Sequence, residues 1–185
     1  EFGKINIVSD TATANISDND NAAGSGYADL SVDSHGKEEG EVPVTFVVTL
    51  SGQNQTGSDM EFDILFTDDN ATVGADYTLA SDSVITVPNG SNRGYFNVSV
   101  VNDLLIENDD SFVSQISNSS NPIVVIRNVS AVGVIEDDDN AANSISATVS
   151  VRSDGQELNS SPAELILNLS KVNSSQSPIT IDIAV

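Results

Sequence analysis

Hydrophobic and polar residues alternate along this chain in short bursts. In Val42-Pro43-Val44-Thr45-Phe46-Val47-Val48-Thr49-Leu50, the side chains of Val44, Phe46, Val48 and Leu50 share one face of an extended strand, because successive strand residues point to opposite sides of a sheet. Phe62, Ile64 and Phe66 repeat the pattern, and so do Phe96, Val98 and Val100. The same reading predicts strands over 27–32, 83–87, 111–116 and 123–135. Ser51-Gly52, Pro88-Asn89-Gly90 and Asn121-Pro122 supply turns. Pro43 has no N–H to donate and belongs at a strand start or a sheet edge. About seven alternating strands of this kind describe an all-β fold, an antiparallel two-sheet β-sandwich of immunoglobulin-like type.

The pattern also repeats. Asp18-Asn19-Asp20-Asn21-Ala22-Ala23 returns as Asp137-Asp138-Asp139-Asn140-Ala141-Ala142, an offset of 119 residues. Residues 10–66 and 129–185 align at that offset without a gap and share 21 identities in 57 pairs. Among them are Ile16 with Ile135, Gly36 with Gly155, Glu38 with Glu157, Pro43 with Pro162 and Leu50 with Leu169. A fixed period of this kind is the signature of a tandem array. It predicts that residues 1–21 close one unit, 22–140 form a complete unit and 141–185 open a third. Joints this short, with no Pro- or Gly-rich linker, predict a semi-rigid rod.

Charge changes the picture next. The 28 acidic and 6 basic residues give a net charge of −22, which repels phosphate backbones and anionic membrane surfaces and excludes nucleic acid as a partner. No apolar run reaches the ~20 residues of a membrane-spanning helix, so direct membrane insertion is not expected. With no Cys, neither disulfides nor thiolate metal sites are available. His35 is the single histidine, beside Gly36 in a turn, and lacks the partners of a Ser-His-Asp or metallohydrolase site; no enzyme activity is expected. The acids concentrate at 38–41, 68–69, 103–110 and 136–139. Hard cations such as Ca²⁺ take six to eight oxygen ligands, which several loops at one end of a sandwich can supply together. Solvated loop acids would give the same composition, and the two readings differ in whether the carboxylates converge.

Three stretches resemble the Calx-beta domain family. Thr67-Asp68-Asp69-Asn70-Ala71-Thr72-Val73-Gly74-Ala75-Asp76-Tyr77 is similar to its "DGTA.AG.DY" segment. The run from Val101 to Phe112 is similar to "I.DD...E.DE.F", and Val134-Ile135-Glu136-Asp137-Asp138-Asp139 to "V.I.DDD". With the turn at Glu38–Gly40 they stand in family order across the complete unit. The resemblance implies a seven-stranded sandwich with calcium at one end. By motif, Glu38, Asp68, Asp103, Glu107, Asp137, Asp138 and Asp139 become the ligands, with the Leu105 carbonyl beside them. Asn102 stands where the family's strongest calcium binders have Asp, and Asp69 replaces the usual Gly; one or two ions are the expectation. Glu157 keeps the Glu38 position in the third unit, but Arg152 stands opposite Asp33. Gly74, Asp76 and Tyr77 are expected to serve the fold: a positive φ, a bond to turn backbone and closure of the core.

Ten Asn-x-Ser/Thr sequons occur, at Asn15, Asn54, Asn70, Asn89, Asn97, Asn118, Asn128, Asn159, Asn168 and Asn173. They predict an extracellular, secreted or cell-surface glycoprotein, where millimolar calcium fills even weak sites. Among hosts of such domains, the sequon density and the acidic, Asn/Ser-rich character are similar to the proteoglycan-like core proteins of sponge aggregation factors. That resemblance implies calcium-dependent cell–cell adhesion, with neighbouring repeats and a cell-surface or matrix protein or glycan as partners. An extender repeat of a bacterial surface adhesin, which would carry no glycans, and a calcium-sensing regulatory domain of a membrane exchanger are the rival readings.

Overall fold

In the computed structural model, residues 11–17, 26–140, 145–174 and 177–182 are described; the boundary predicted between 21 and 22 lies outside them, as do the first residues of the third unit, 141–144. Every regular element among these residues is a strand. The complete unit runs β1 (Gly26–Ser34), β2 (Gly36–Lys37), β3 (Val44–Leu50), β4 (Met60–Asp68), β5 (Tyr77–Thr78), β6 (Val84–Val87), β7 (Arg93–Val100), β8 (Leu105–Ile106), β9 (Asp110–Ser119), β10 (Val124–Asn128) and β11 (Ser130–Glu136). One sheet has the order β10-β1-β3-β7-β5 and the other β2-β11-β9-β4-β6. The all-β two-layer sandwich is the fold predicted from the alternation.

The core lies between the layers and is built from the residues that the alternation turned inward. Val44, Phe46, Val48, Phe62, Ile64, Val98, Val100 and Phe112 are all buried. Phe46 meets Phe112 edge-on at 5.7 Å between ring centroids, and Tyr77 stacks on Phe112 at 4.2 Å. Such aromatic pairs contribute beyond their buried area and hold the two sheets in one alignment.

Two departures from the predicted pattern shape the molecule. The run predicted as one strand over 123–135 breaks at Val129: β10 pairs in parallel with β1, and β11 pairs antiparallel with β9 in the other sheet. The first strand divides in the same way at His35, where β2 crosses over and pairs in parallel with β11. The sandwich is therefore antiparallel throughout except at these two edges. Twisted sheets diverge at their corners, so a chain at the edge can satisfy its backbone groups by changing layers, which also leaves less open edge. The crossings are pinned by side chains. Val134 N donates to His35 Nδ1 at 3.2 Å, Asn128 Nδ2 donates to the Leu30 carbonyl at 2.8 Å, and Arg127 grips Asp29 while its guanidinium lies 3.9 Å from the Tyr27 ring centre.

The third unit opens with a hairpin of β12 (Ala147–Ser153) and β13 (Glu164–Leu169), followed by β14 (Val172–Asn173). Its register reproduces that of β1 and β3 at the 119-residue offset: Ala147 faces Leu169 as Ala28 faces Leu50, and Val151 faces Leu165 as Val32 faces Phe46. The irregularity between Val32 and Ser34 recurs between Val151 and Ser153, and the positive φ of Glu41, 51°, recurs at Ser160. Val149, Val151, Leu165 and Leu167, the counterparts of core residues, stand exposed on this hairpin.

At Gly94, β7 passes close against β6, since a Cβ there would lie 2.2 Å from the Thr86 carbonyl oxygen. Backbone cannot swing aside as a side chain can, so Gly94→Ala is expected to destabilise the unit by about 3 kcal/mol. Urea denaturation checks this; the expected signature is a lower midpoint at unchanged m-value.

Candidate metal centre

The strand directions gather five acidic segments at one end of the sandwich. β2 and β11 run side by side and deliver Glu38 and 137–139 to the same pole. β3 starts there and β7 ends there, with Val44 paired to Val98, which adds 101–104. The pairing of Asp68 with Phe112 brings in the end of β4 and the start of β9.

Glu38 is set by the turn that follows β2. Its N–H donates to the Glu136 carbonyl at 3.1 Å, and its own carbonyl accepts from Glu41 N at 2.8 Å and from Asn102 Nδ2 at 3.0 Å. Asn102, where the motif has Asp in strong binders, thus holds the Glu38 turn instead of adding a charge. Asp137 folds its own loop, accepting from the backbone N–H of Asp139 at 3.2 Å and of Asn140 at 3.1 Å in an Asx-type turn. These constraints bring carboxylate oxygens of Glu38, Asp137 and Asp139 within 4.8 Å of one another, with all three residues buried. Asp138 and Asp103 border the group. Asp103 Oδ1 accepts from Leu105 N at 2.7 Å, which leaves β8 lying between Asp103 and Glu107.

Glu107 belongs to a second group with Asp76 and Asp110, again within 4.8 Å, beside a cavity of about 260 Å³ lined by Thr72, Asp76, Leu105, Glu107 and Asp110. Neither Asp76 nor Asp110 was among the ligands implied by motif. Asp110 was within reach of the sequence, because it shares strand parity with the core residue Phe112 and must face inward at the strand's start. Asp76 does bond the turn as expected, accepting from Thr72 N at 2.6 Å, but its carboxylate also joins this group. Asp68 is placed outside both groups. It is exposed, and its Oδ1 accepts from Tyr77 Oη at 2.5 Å and from Val73 N at 3.3 Å. Gly74, with φ of 90°, shapes the turn between them.

Crowded, half-desolvated carboxylates resist ionisation. Burial, then the nearby charges of Asp137, Asp103, Asp138 and Glu107, push Glu38 up to about 7. Burial, followed by Asp110 and Asp76, pushes Glu107 up to about 7. Asp110 rises to about 6 by burial and the charges of Asp76 and Asp137. Asp137 is raised by burial, partly offset by the N–H groups it accepts. Glu38 Oε2 and Asp138 Oδ1 are buried without a hydrogen-bond partner. A buried charge without a partner is costly; among the described residues, the basic side chain in contact with the group is Lys171, whose Nζ lies against Asp139 Oδ1. Hard cations at 2.3–2.6 Å from each oxygen fit carboxylates that lie no more than 4.8 Å apart.

The sequons divide by burial. Asn54 is corrected as a glycan acceptor: it is only 2% exposed. Its Nδ2 donates to the Ser58 and Val87 carbonyls at 2.9 and 3.0 Å, while Oδ1 accepts from Thr56 Oγ1 at 2.7 Å. A glycan joined through that nitrogen has no room, and the residue instead staples its loop. Asn15, Asn70, Asn89, Asn97, Asn118, Asn128, Asn159, Asn168 and Asn173 are exposed. Of these, four use their Nδ2 within the chain: Asn128 to the Leu30 carbonyl at 2.8 Å, Asn70 to Asp110 Oδ1 at 2.7 Å, Asn118 to Asp63 Oδ2 at 3.0 Å and Asn173 to the Ser177 carbonyl at 2.7 Å.

Comparison with known proteins bears on the same region. The sequence pattern of the Calx-beta domain matches residues 24–139. Among solved structures, the apo form of the Calx CBD1 domain is 20% identical and superposes with a TM-score of 0.50, covering 61% of this chain and 99% of that one. CBD12 from CALX1.2 is 17% identical with a TM-score of 0.51, covering 79% of this chain and 72% of that one. At such identities the likeness is one of fold. No curated protein sequence matches the chain.

The raised carboxyls fix the sign of the pH dependence. Glu38 and Glu107 hold protons in the folded state up to about 7, whereas in the unfolded chain they release them near 4.3. Between these values the folded state binds more protons, so stability falls as pH rises. In chelator, the thermal midpoint is expected to climb as pH is lowered from 8 to 5. Glu38→Gln, which removes one of these titrations, should flatten the slope; an equally steep profile in the variant contradicts the assignment.

Proposed function

The chain belongs to the Calx-beta domain family, and from that premise we propose that its acid pole binds calcium. The observation that carries this reading is the convergence of Glu38, Asp137 and Asp139, all buried, next to the unpartnered Glu38 Oε2 and Asp138 Oδ1. A solvated acidic surface has no reason to bury its charges against one another. Glu38, Asp137 and Asp139, with Asp103 and Asp138 at the border, would hold one ion; Asp76, Glu107 and Asp110 would hold a second. Calcium supplies the positive charge that cancels their repulsion and ties together loops from both sheets. Asp68 supports the pole through Tyr77 and the 72–76 turn.

We further propose that the domain is a structural and adhesive module of an extracellular glycoprotein. Calcium-loaded poles stiffen the array at its joints, and most of the sequons lie on exposed positions. Partners on a cell surface or in a matrix then meet a rod whose shape depends on calcium.

Two measurements test this. Binding to the native state alone raises the melting temperature; for a site filled well above its dissociation constant, millimolar calcium is expected to add about 5–10 °C. Glu38→Gln combined with Asp137→Asn should abolish that gain. An unresponsive wild type, or a double variant that responds equally, would remove the calcium assignment. Glycopeptide mass mapping of the protein from its native source should place glycans at Asn97 and Asn168 and none at Asn54. A bare polypeptide would favour an adhesin repeat or a cytosolic sensor over the adhesive glycoprotein.

A further inference from the structure

The acid pole of the complete unit already has a cationic visitor. Lys171, which follows β13, places its Nζ against Asp139 Oδ1. The two side chains are only 14% and 3% exposed, whereas the surface pair Lys37–Glu136 is 52% and 57% exposed. Exposed pairs contribute little, but a pair shielded from water on a buried carboxylate is screened far less. The contact is reinforced by backbone. β14 pairs in parallel with β8, with Val172 N donating to the Leu104 carbonyl at 3.2 Å and Ser174 N to the Ile106 carbonyl at 3.0 Å. β8 is the short strand between Asp103 and Glu107, so the following unit adds a strand at the centre of the acidic end.

We propose that this pole is a docking surface for the 170–174 loop of the following unit, latched by Lys171 as a tethered counter-ion. The 119-residue offset shows what kind of partner it takes. The counterpart of Lys171 in the complete unit is Gly52, and that of Val172-Asn173 is Gln53-Asn54. Gly52, Gln53 and Asn54 line an open cavity of about 840 Å³ at the opposite end from the acids. Each unit therefore presents this loop away from its own acid pole, in a position to meet another unit's. Only a unit with a basic residue at the 52/171 position carries the latch. Joints in the array are then of two kinds, those held by lysine without metal and those with glycine that depend on other contacts.

The latch operates without metal, so it is tested in chelator, separately from the calcium reading. Native-state amide hydrogen exchange of the whole chain is compared for wild type, Lys171→Met and Lys171→Arg. Losing a charge-assisted bond to a buried carboxylate is expected to speed exchange at Val172 and Ser174 about tenfold in Lys171→Met. Lys171→Arg should keep most of the protection. The core amides of Ile64 and Ile116, bonded to the Ser83 and Val129 carbonyls, should not change. Equal exchange in wild type and Lys171→Met overturns the proposal, and so does an acceleration that extends equally to Ile64 and Ile116.

Discussion

The parallel pairing of Gly36–Lys37 with Ile135–Glu136 is the contact on which the acidic end depends. It joins residues about a hundred positions apart and exists only because the first strand changes layers at His35. A side chain at position 36 would have no room, since a Cβ would lie 2.7 Å from Val100 Cγ2 and 2.8 Å from Val44 Cγ2. Once Gly36 is seated, Lys37 and Glu38 must emerge beside Glu136 and Asp137. The sheet thus presses acids together that their own charges would drive apart. The aromatic packing of Phe46, Phe112 and Tyr77 behind the pole supplies the stability against which that repulsion is held.

Repulsion of this kind gives the pole its chemistry. Carboxyls raised toward neutral pH, such as Glu38 and Glu107, give up their protons at little cost if a cation replaces them, and Asn102, Asp103 and Asp137 already hold the loops around them. Tyr77 and Asp68 form the outer support: burial raises the phenol's pKa, with the bond to Asp68 as the next cause, so Tyr77 remains a donor at every pH the protein meets. Charge from within the chain acts on the same carboxylates, since Lys171 reaches Asp139 from the next unit. On the proposed reading, one end of the sandwich is asked to serve as both a binding site and a joint.

Much of the fold was legible in the sequence because alternation reports which side chains face inward. It does not report which sheet a strand joins. The stretch 123–135 is apolar on both faces at its ends, in Ile123-Val124-Val125-Ile126 and Val134-Ile135, so its division between layers could be known only from the pairing. The two-residue strands β2, β5 and β8 are too short to alternate at all. At the site, motif order brought out Glu38, Glu107 and the 137–139 run. It placed Asp68 among the ligands and kept Asp76 to the turn, whereas in the structure Asp76 lies with Glu107 and Asp110 and Asp68 bonds Tyr77. Asp68 ends β4 and is held by its pairing with Phe112, whereas Asp76 closes the turn around Gly74, and a motif gives the order of the two without their directions. Asn54 shows a similar limit. Its sequon records acceptor chemistry, but its burial follows from a loop closed over Ser58 and Val87, far apart in the chain.

The hairpin of the third unit keeps the register of β1 and β3 although its apolar face is open. The register thus follows the local pattern of the two strands, which is the same in both units. In a sandwich whose remaining contacts join segments as distant as β1 and β10, such a local element has the lowest contact order and the smallest loop-closure cost. On loop closure alone, the opening hairpin is the least costly part of each unit to order, and the pairing that brings Glu136–Asp139 beside Glu38 is among the most costly.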